Sequence, residues 1–358
     1  MATASAEPRG STQAAATIDV PSPYLLFLGD TTEVPYAKTA FGLRDWAPEK
    51  CVGEYALPAA TVTTGLPSLK PAEAYARGAR SLIIGVVNMG GTLNPAWMPA
   101  LIESLEAGLD IVSGMHARLA DNRELEAAAK RLGRRLIDVR RPPAGIPIAS
   151  GRKRSGQRLL TVGTDCALGK KYTALVLARE FRRHGVDAHF RASGQTGILI
   201  AGGGMPIDAV VSDFVAGAAE LLSPDADAGH WDVIEGQGSL FHPSYSGVSL
   251  GLLHGSQPDV VVLCHEEGRD AILGLEDFPL PSLDEAIYLH LELARRTNPR
   301  VRCAGVSLNT AKLSAAHARA VLAERRAQLG MPVADPMRGG PELEELVASC
   351  LSPSRSQA

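Results

Sequence analysis

Residues 163–170 read Gly-Thr-Asp-Cys-Ala-Leu-Gly-Lys, between the apolar run Arg158–Gly163 and a helical pattern over Lys170–His184. A loop bracketed by glycines and followed at once by lysine fits few folds. Its backbone N–H groups can wrap a phosphate, the following helix adds the positive end of its dipole, and the lysine adds a point charge. The chain is therefore expected to contain a parallel α/β sheet, with this loop at the carboxyl end of one strand. The cradle departs from the usual spacing, since five residues, Thr164 to Leu168, separate the glycines where four are usual. A larger departure is Lys171, which stands where a magnesium-binding Ser or Thr is expected; an ammonium repels a metal. Thr164 and Thr173 are the hydroxyls left to replace it. Two adjacent lysines suit a metal-free phosphate, such as a pyrophosphate or the ribose phosphate of coenzyme A. Gly163, Thr164, Asp165, Cys166, Ala167, Leu168, Gly169, Lys170 and Lys171 are thus the expected cofactor-binding run, and no metal site is expected.

The rest of the chain repeats the strand–helix alternation. In the first half the expected strands are Tyr24–Asp30, Ser81–Val87, Asp110–Ser113 and Arg135–Val139. Helical patterns lie at Thr39–Trp46, Pro71–Arg77, Pro95–Leu109 and Asn122–Leu132. The second half offers strands at Arg158–Gly163, Asp187–Ala192, Trp231–Glu235, Pro258–His265 and Val301–Leu308. Its helices are expected at Lys170–His184, Ile207–Leu222, Leu283–Arg296 and Ala315–Leu329, before a short terminal strand–helix pair. Between the halves lies a Pro- and Gly-rich stretch. The expected organisation is a disordered tail at 1–22, a Rossmann-like domain at 23–141, a linker at 142–156 and a P-loop-like domain at 157–352.

Further polar segments fall at the carboxyl ends of expected strands, where open α/β sheets bind ligands. They are Arg191–Gly197 with Gln195 and Thr196, Glu235–Ser239 followed by His242, His265–Arg269, and Asn309-Thr310. Asn309 joins the cofactor-binding set because its amide can read a purine edge. In the first half, Asn88–Gly91, His116 and Arg118 are placed to close over the ligand from the opposite side.

Composition excludes several classes. The 36 Lys and Arg against 39 Asp and Glu leave a net charge of −3, which gives no basic face for nucleic acid, and 5% aromatics are too few for base-stacking platforms. The longest uncharged stretch, Gly238 to Pro258, is too rich in Gly, Ser, His and Pro to span a membrane. Residues 1–20 lack the basic start and apolar run of a signal peptide. Five scattered cysteines with no Cys-x-x-Cys pair fit reduced thiols and a cytoplasmic location.

The strings GTDCALGKK, RASGQTGILIAGGG, HWDVIEGQGSLFHPSYSGVSLGLLHGSQPD and GVSLNT resemble a bacterial P-loop family long catalogued as a domain of unknown function, and within it the D-glutamate N-acetyltransferases. PYLLFLGD, KTAFGLRDW, CVGEY, TVTTGLP and GLDIVSGMHARLAD extend the likeness over nearly the whole chain from Pro23. The loop and the Val-Ile-Glu-Gly segment also look like dethiobiotin synthetase, an ATP-dependent relative in the wider P-loop class. The resemblance implies small-molecule substrates, transfer of acetyl from acetyl-CoA to D-glutamate in D-glutamate catabolism, a P-loop fold in the second domain, and a homodimer. An ATP-dependent carboxylate ligase or kinase using Mg-ATP at the same loop is the alternative.

Amide formation from a thioester needs an amine that loses a proton, donors for the oxyanion and a thiolate that leaves. Glu235 and His242 are the candidate bases, His242 with the better unperturbed pKa. Gln195, Thr196, Gln237 and Ser239 can donate to an oxyanion or orient the acceptor. An acceptor with two carboxylates calls for a bidentate arginine, and Arg191 and Arg269 stand at strand ends where one is expected. Cys166 is open to acylation or to inert packing, and Cys264 reads as core.

Overall fold

The computed structural model describes residues 17–86 and 93–352. Its first half runs β1 (Ile18–Asp19), β2 (Tyr24–Gly29), α1 (Lys38–Trp46), β3 (Cys51–Ala56), α2 (Pro71–Ala76), β4 (Ser81–Ile84), α3 (Met98–Glu106), β5 (Asp110–Ser113), α4 (Arg123–Leu132) and β6 (Leu136–Asp138). Every residue of β2, β4 and β5 is buried, the continuous apolar reading of a parallel strand covered on both faces. Five strands form one parallel sheet in the order β3-β2-β4-β5-β6, so the switch point lies beside β2. Local signals agree with the pattern. Asn122 caps α4 by accepting from Leu125 N at 2.9 Å, Glu124 and Glu126 sit in its first turn, and Gly133 ends it at φ 63°.

The second half runs β7 (Gln157–Gly163), α5 (Lys170–Arg183), β8 (Ala188–Arg191), α6 (Gln195–Ala201), β9 (Gly203–Gly204), α7 (Val215–Leu222), β10 (Trp231–Ile234), α8 (Ser246–Ser256), β11 (Val260–Glu266), β12 (Ala271–Ile272), β13 (Leu275–Pro279), α9 (Leu283–Ala294), β14 (Arg302–Asn309), α10 (Ala315–Leu329), β15 (Val333–Ala334) and α11 (Pro341–Leu351). Six strands form a second parallel sheet, ordered β15-β14-β11-β7-β10-β8. Central β7 carries the glycine loop. Chain order reverses around it, so the loop opens at the crevice where such sheets take ligands.

Several expectations change. The helix expected over Ile207–Leu222 begins only at Val215. Before it come short 3-10 turns at Ile207–Ala209 and Ser212–Phe214, while Gly217 lies within α7. Gly217 is needed there because an added Cβ would collide with the Pro147 carbonyl. Strand β3, helices α6 and α8 and the β12–β13 hairpin were not anticipated. Asn88–Gly91 falls outside the described residues. The tail expected through residue 22 is ordered at its end, since Ile18 and Asp19 pair antiparallel with Gly204 and Gly203. The 142–156 stretch has no helix or strand, yet its second part is held: Glu220 accepts from Ser150 N and Gly151 N, and buried Arg154 donates to the Ser223 and Gly255 carbonyls.

The two sheets are joined by packing as well as by that strap. Leu175, Ala192 and Ile198–Ile200 belong to the apolar cluster of the first sheet. Trp46 stacks on Tyr172 with ring centroids 5.6 Å apart, and Lys50 Nζ caps α6 by donating to the Ile200 and Ala201 carbonyls at 2.8 and 2.7 Å.

Candidate active site

The loop leaving β7 turns on two left-handed residues. Gly169, at φ 110°, accepts this conformation freely, whereas Ala167, at φ 55°, does so at a cost of about 1–2 kcal/mol. Such a turn aims successive N–H groups into one concavity, directly before the N-terminus of α5. Asp165 shapes the loop from below. It is wholly buried; its Oδ1 accepts from Cys166 N at 2.6 Å, and its Oδ2 accepts from Arg269 Nη1 at 3.0 Å and Leu273 N at 2.8 Å. Lys170 Nζ is buried too and donates to the Asp165 carbonyl at 2.7 Å. Burial holds the pKa values of Lys170 and Lys171 below the usual lysine range.

A cleft of ≈ 660 Å³ opens over this loop. Cys166–Tyr172 form its floor, Gly194–Thr196 and Glu235–Gly238 one wall, and Tyr245, Val248 and Asn309 its margin. Arg140, from the turn after β6, and Asp208 complete the lining. The site therefore draws on both domains. Lys171 lies over the Tyr172 ring, 4.4 Å from its centroid.

Glu235 is the carboxyl whose chemistry the cleft alters. Its side chain is 5% exposed, and burial pushes its pKa up to about 7 against the pull of Lys171 and of two backbone donors. Those donors are Ser193 N at 3.0 Å and Gly194 N at 3.1 Å, both on Oε2. Oε1 accepts no hydrogen bond from the described residues. The carboxyl is seated by two glycines: a Cβ on Gly197 would overlap Oε2, and one on Gly236 would overlap the Thr161 carbonyl of β7. Gln237 stands next to it, its Nε2 donating to Ser193 Oγ at 2.9 Å. A carboxyl poised near neutrality in a half-enclosed cleft suits proton abstraction.

Of the residues expected at the site, the cleft gathers Cys166–Lys171, Gln195, Thr196, Glu235, Gln237 and Asn309. It leaves others out. Gly163 and Thr164 lie below the loop, Thr164 Oγ1 hydrogen-bonded to His265 Nδ1 at 2.9 Å; Thr173 Oγ1 is taken by Ser307 Oγ at 2.7 Å. Neither hydroxyl reaches the cleft to replace the one missing at 171. Asp165 is consumed by the loop it shapes. Ser239 is buried and donates to the Thr164 carbonyl at 2.9 Å. His242 is buried, its Nδ1 accepting from Ser244 N at 3.1 Å and its ring against Tyr245. Ligand atoms of Asp165, Cys166 and His242 lie within 4.8 Å of one another, but this carboxylate is already spoken for by Arg269 and two backbone donors.

The expected acceptor clamp also changes. Arg191 Nε is bound to buried Asp232 at 2.5 Å, and Arg269 to Asp165, to Glu266 at 2.5 Å and to the Cys166 carbonyl at 2.9 Å. Both arginines serve the fold. His116 and Arg118 are exposed and do not line the cleft. The cation that does was missed: Arg140 Nη2 meets Asp208 Oδ2 at 3.1 Å. Gln195, oriented with its amide oxygen toward Arg140 Nη1 at 2.7 Å and its nitrogen toward the Gly114 carbonyl, bridges the domains. The one available signal was the basic pair Arg140-Arg141 just past a strand end. Asp208 was hidden by its assignment to a continuous helix.

Comparison with known proteins gives matches over both halves. A Rossmann-like domain described as a domain of unknown function, DUF1611_N, matches residues 49–142, and the P-loop domain DUF1611_C matches 147–347. This agrees with the α/β pair of Rossmann-like and P-loop sheets. A D-glutamate N-acetyltransferase of Tritonibacter scottomollicae is 49% identical over 321 residues, 90% of this chain and 96% of that protein. One from Pseudoalteromonas sp. is 44% identical over 332 residues, 93% of this chain and 99% of that one. The crystal structure of a DUF1611 family protein from Anabaena variabilis aligns with a TM-score of 0.77 and 32% identity, covering 92% and 98% of the two chains.

Proposed function

The chain belongs to the DUF1611 family, and on that premise we propose that it moves an acetyl group from acetyl-CoA to the amino group of D-glutamate. Acceptor and reaction follow the two relatives named for this activity, each matched over nine-tenths of the chain. The donor is the part the cleft itself bears on. Its floor offers the left-handed turn at Ala167, the start of α5 and two lysines, of which Lys170 is buried with a single backbone carbonyl as partner. These groups fit the phosphates of coenzyme A without a metal-ligating hydroxyl at 171. Acetyl-CoA, when bound, supplies an acetyl group activated as a thioester.

The protein's own contribution centres on Glu235, and the observation that carries the mechanism is its place in the cleft wall, buried, with two backbone donors on Oε2 and none on Oε1 among the described residues. As carboxylate it accepts a proton from the acceptor's ammonium at Oε1, while Oε2 stays anchored by Ser193 N and Gly194 N. The Lys171 ammonium favours that charge. Gln237 and Thr196, on the same wall, are the side-chain donors available to a carbonyl oxygen gaining charge. The apolar contacts that bring α1 against α6 and Trp46 against Tyr172 keep the two walls in register.

No helix among the described residues is long and apolar enough to cross a membrane. The five free cysteines favour a reducing, cytoplasmic setting, and the family resemblance favours a homodimer. The test is to incubate the protein with D-glutamate, acetyl-CoA and ATP and to follow each by mass spectrometry. N-acetyl-D-glutamate with release of CoA is expected; consumption of ATP instead would refute the reading.

A further inference from the structure

We propose that Arg140, carried by the N-terminal domain, holds a carboxylate of the acceptor, so that the acceptor pocket is complete only where the two domains meet. The inference rests on the acetyltransferase reading and adds the residue that selects the substrate. An acceptor with two carboxylates loses water from both on entering the cleft, and a buried charge must be met by another. Among the described residues three cations line the cleft: Lys170, Lys171 and Arg140. Lys170 is turned into the loop toward the Asp165 carbonyl. Lys171 belongs to the phosphate floor, at the start of α5 and over the Tyr172 ring. Arg140 stands apart from that floor, and Arg191 and Arg269 are committed elsewhere.

The setting of Arg140 suits recognition rather than a structural lock. Its side chain is 24% exposed, and that of Asp208, with which it pairs, is 34% exposed. One Asp208 oxygen and the Gln195 amide engage its two terminal nitrogens, which leaves N–H donors of the planar fork for a carboxylate. Asp208 beside it offers an opposite charge to the acceptor's ammonium. That carboxylate is close enough to Glu235 for its charge to help raise the pKa of the base, so an acceptor bound between them would present its nitrogen near Glu235. Gln195, touching both Arg140 and the Gly114 carbonyl, ties this wall to the loop after β5.

Steady-state kinetics with both substrates varied test the assignment, using Arg140→Ala, Arg140→Lys and, as control, the exposed Arg118→Ala. Both Arg140 variants should raise KM for D-glutamate by about tenfold or more, with KM for acetyl-CoA within about twofold of wild type. The lysine variant keeps the charge but not the fork, and its melting curve should match wild type, so a failure of the alanine variant to fold would not decide the matter. Arg118→Ala should change neither KM. An unchanged D-glutamate KM in Arg140→Lys, or equal rises in both KM values, would overturn the inference while leaving the proposed function standing. A wild-type protein that makes no N-acetyl-D-glutamate would instead remove the reading on which the inference rests.

Discussion

Replacing Glu235 by glutamine should make the protein more stable and nearly inactive at the same time. Glutamine is close to isosteric, and its amide oxygen can accept the same two bonds, from Ser193 N and Gly194 N, that anchor Oε2. What it lacks is the charge. Folding raises the pKa of Glu235 from 4.5 to about 7, so the folded chain binds this proton more tightly than the unfolded one. Its contribution to stability is therefore full below pH 4.5 and is lost as pH rises through 7. At 1.36 kcal/mol per unit, the loss reaches about 3 kcal/mol by pH 8. The glutamine variant stays neutral and escapes that loss. Urea titrations at pH 5 and pH 8 should show the variant gaining about 2.5 kcal/mol on wild type between the two, because part of the loss is already present at pH 5. Its kcat/KM should fall by about 10²–10⁴, the usual contribution of a positioned base, and the acid limb near pH 7 in the wild-type profile should vanish. A variant whose stability tracks wild type at both pH values, or which keeps a tenth of the activity, would refute Glu235 as the base. A purely structural acid would behave in the opposite way, since removing it destabilises.

Lys170→Ala should weaken coenzyme A binding by about 1.5–3 kcal/mol, the scale of a lost charge-assisted hydrogen bond; unchanged affinity in calorimetry would remove the phosphate-cradle reading. Arg269→Ala leaves the fully buried Asp165 carboxylate without its ion pair and should destabilise by about 3–5 kcal/mol. KM for D-glutamate should stay within about twofold of wild type, and a tenfold rise would return Arg269 to the acceptor clamp. Because Lys171 lowers the pKa of Glu235, a donor phosphate paired with Lys171 should raise it, so coenzyme A binding near pH 7 should take up a fraction of a proton. Calorimetry in buffers of different ionisation enthalpy reads this, and a heat independent of buffer would exclude the coupling.

Where neighbouring residues decide the structure, the sequence was legible. Buried parallel strands such as Val260–Glu266 read as apolar runs, and the Gly163–Lys170 loop announces its fold through its own backbone. Strand β3 escaped because Cys-Val-Gly-Glu-Tyr-Ala carries a glutamate in its middle. Glu54 is buried there only because Thr63, Thr64 Oγ1 and Thr64 N, about ten residues away, all donate to it. Helix α8 escaped because Ser-Gly-Val-Ser-Leu-Gly-Leu-Leu-His-Gly-Ser has poor intrinsic propensity. Tertiary packing overrides it, with Gly251 and Gly255 letting the helix press directly on Val215 and Ala216 of α7.

The site divides along the same line. Glu235 and Gln237 could be named because β10 delivers them to a sheet edge already marked by the loop. Arg191 and Arg269 reach that edge too, but a strand-end position does not say where a long side chain turns, and both turn to acids, Asp232 and Asp165, that the fold has buried. Asp165 would lose its ion pair without Arg269, and Asp232, which His230 and Ser223 also bond, would keep part of its compensation without Arg191. Arg140 shows the converse. Apart from the basic pair Arg140-Arg141 just past a strand end, nothing near it in the sequence suggests a cleft, because its neighbours there, the Ile207–Ala209 turn and the first residue of α6, come from the other domain. A cation supplied across a domain boundary carries little local sequence signature. The Arg140–Asp208 pair crosses that boundary with both side chains partly exposed, so a carboxylate that Arg140 is proposed to hold would meet it there.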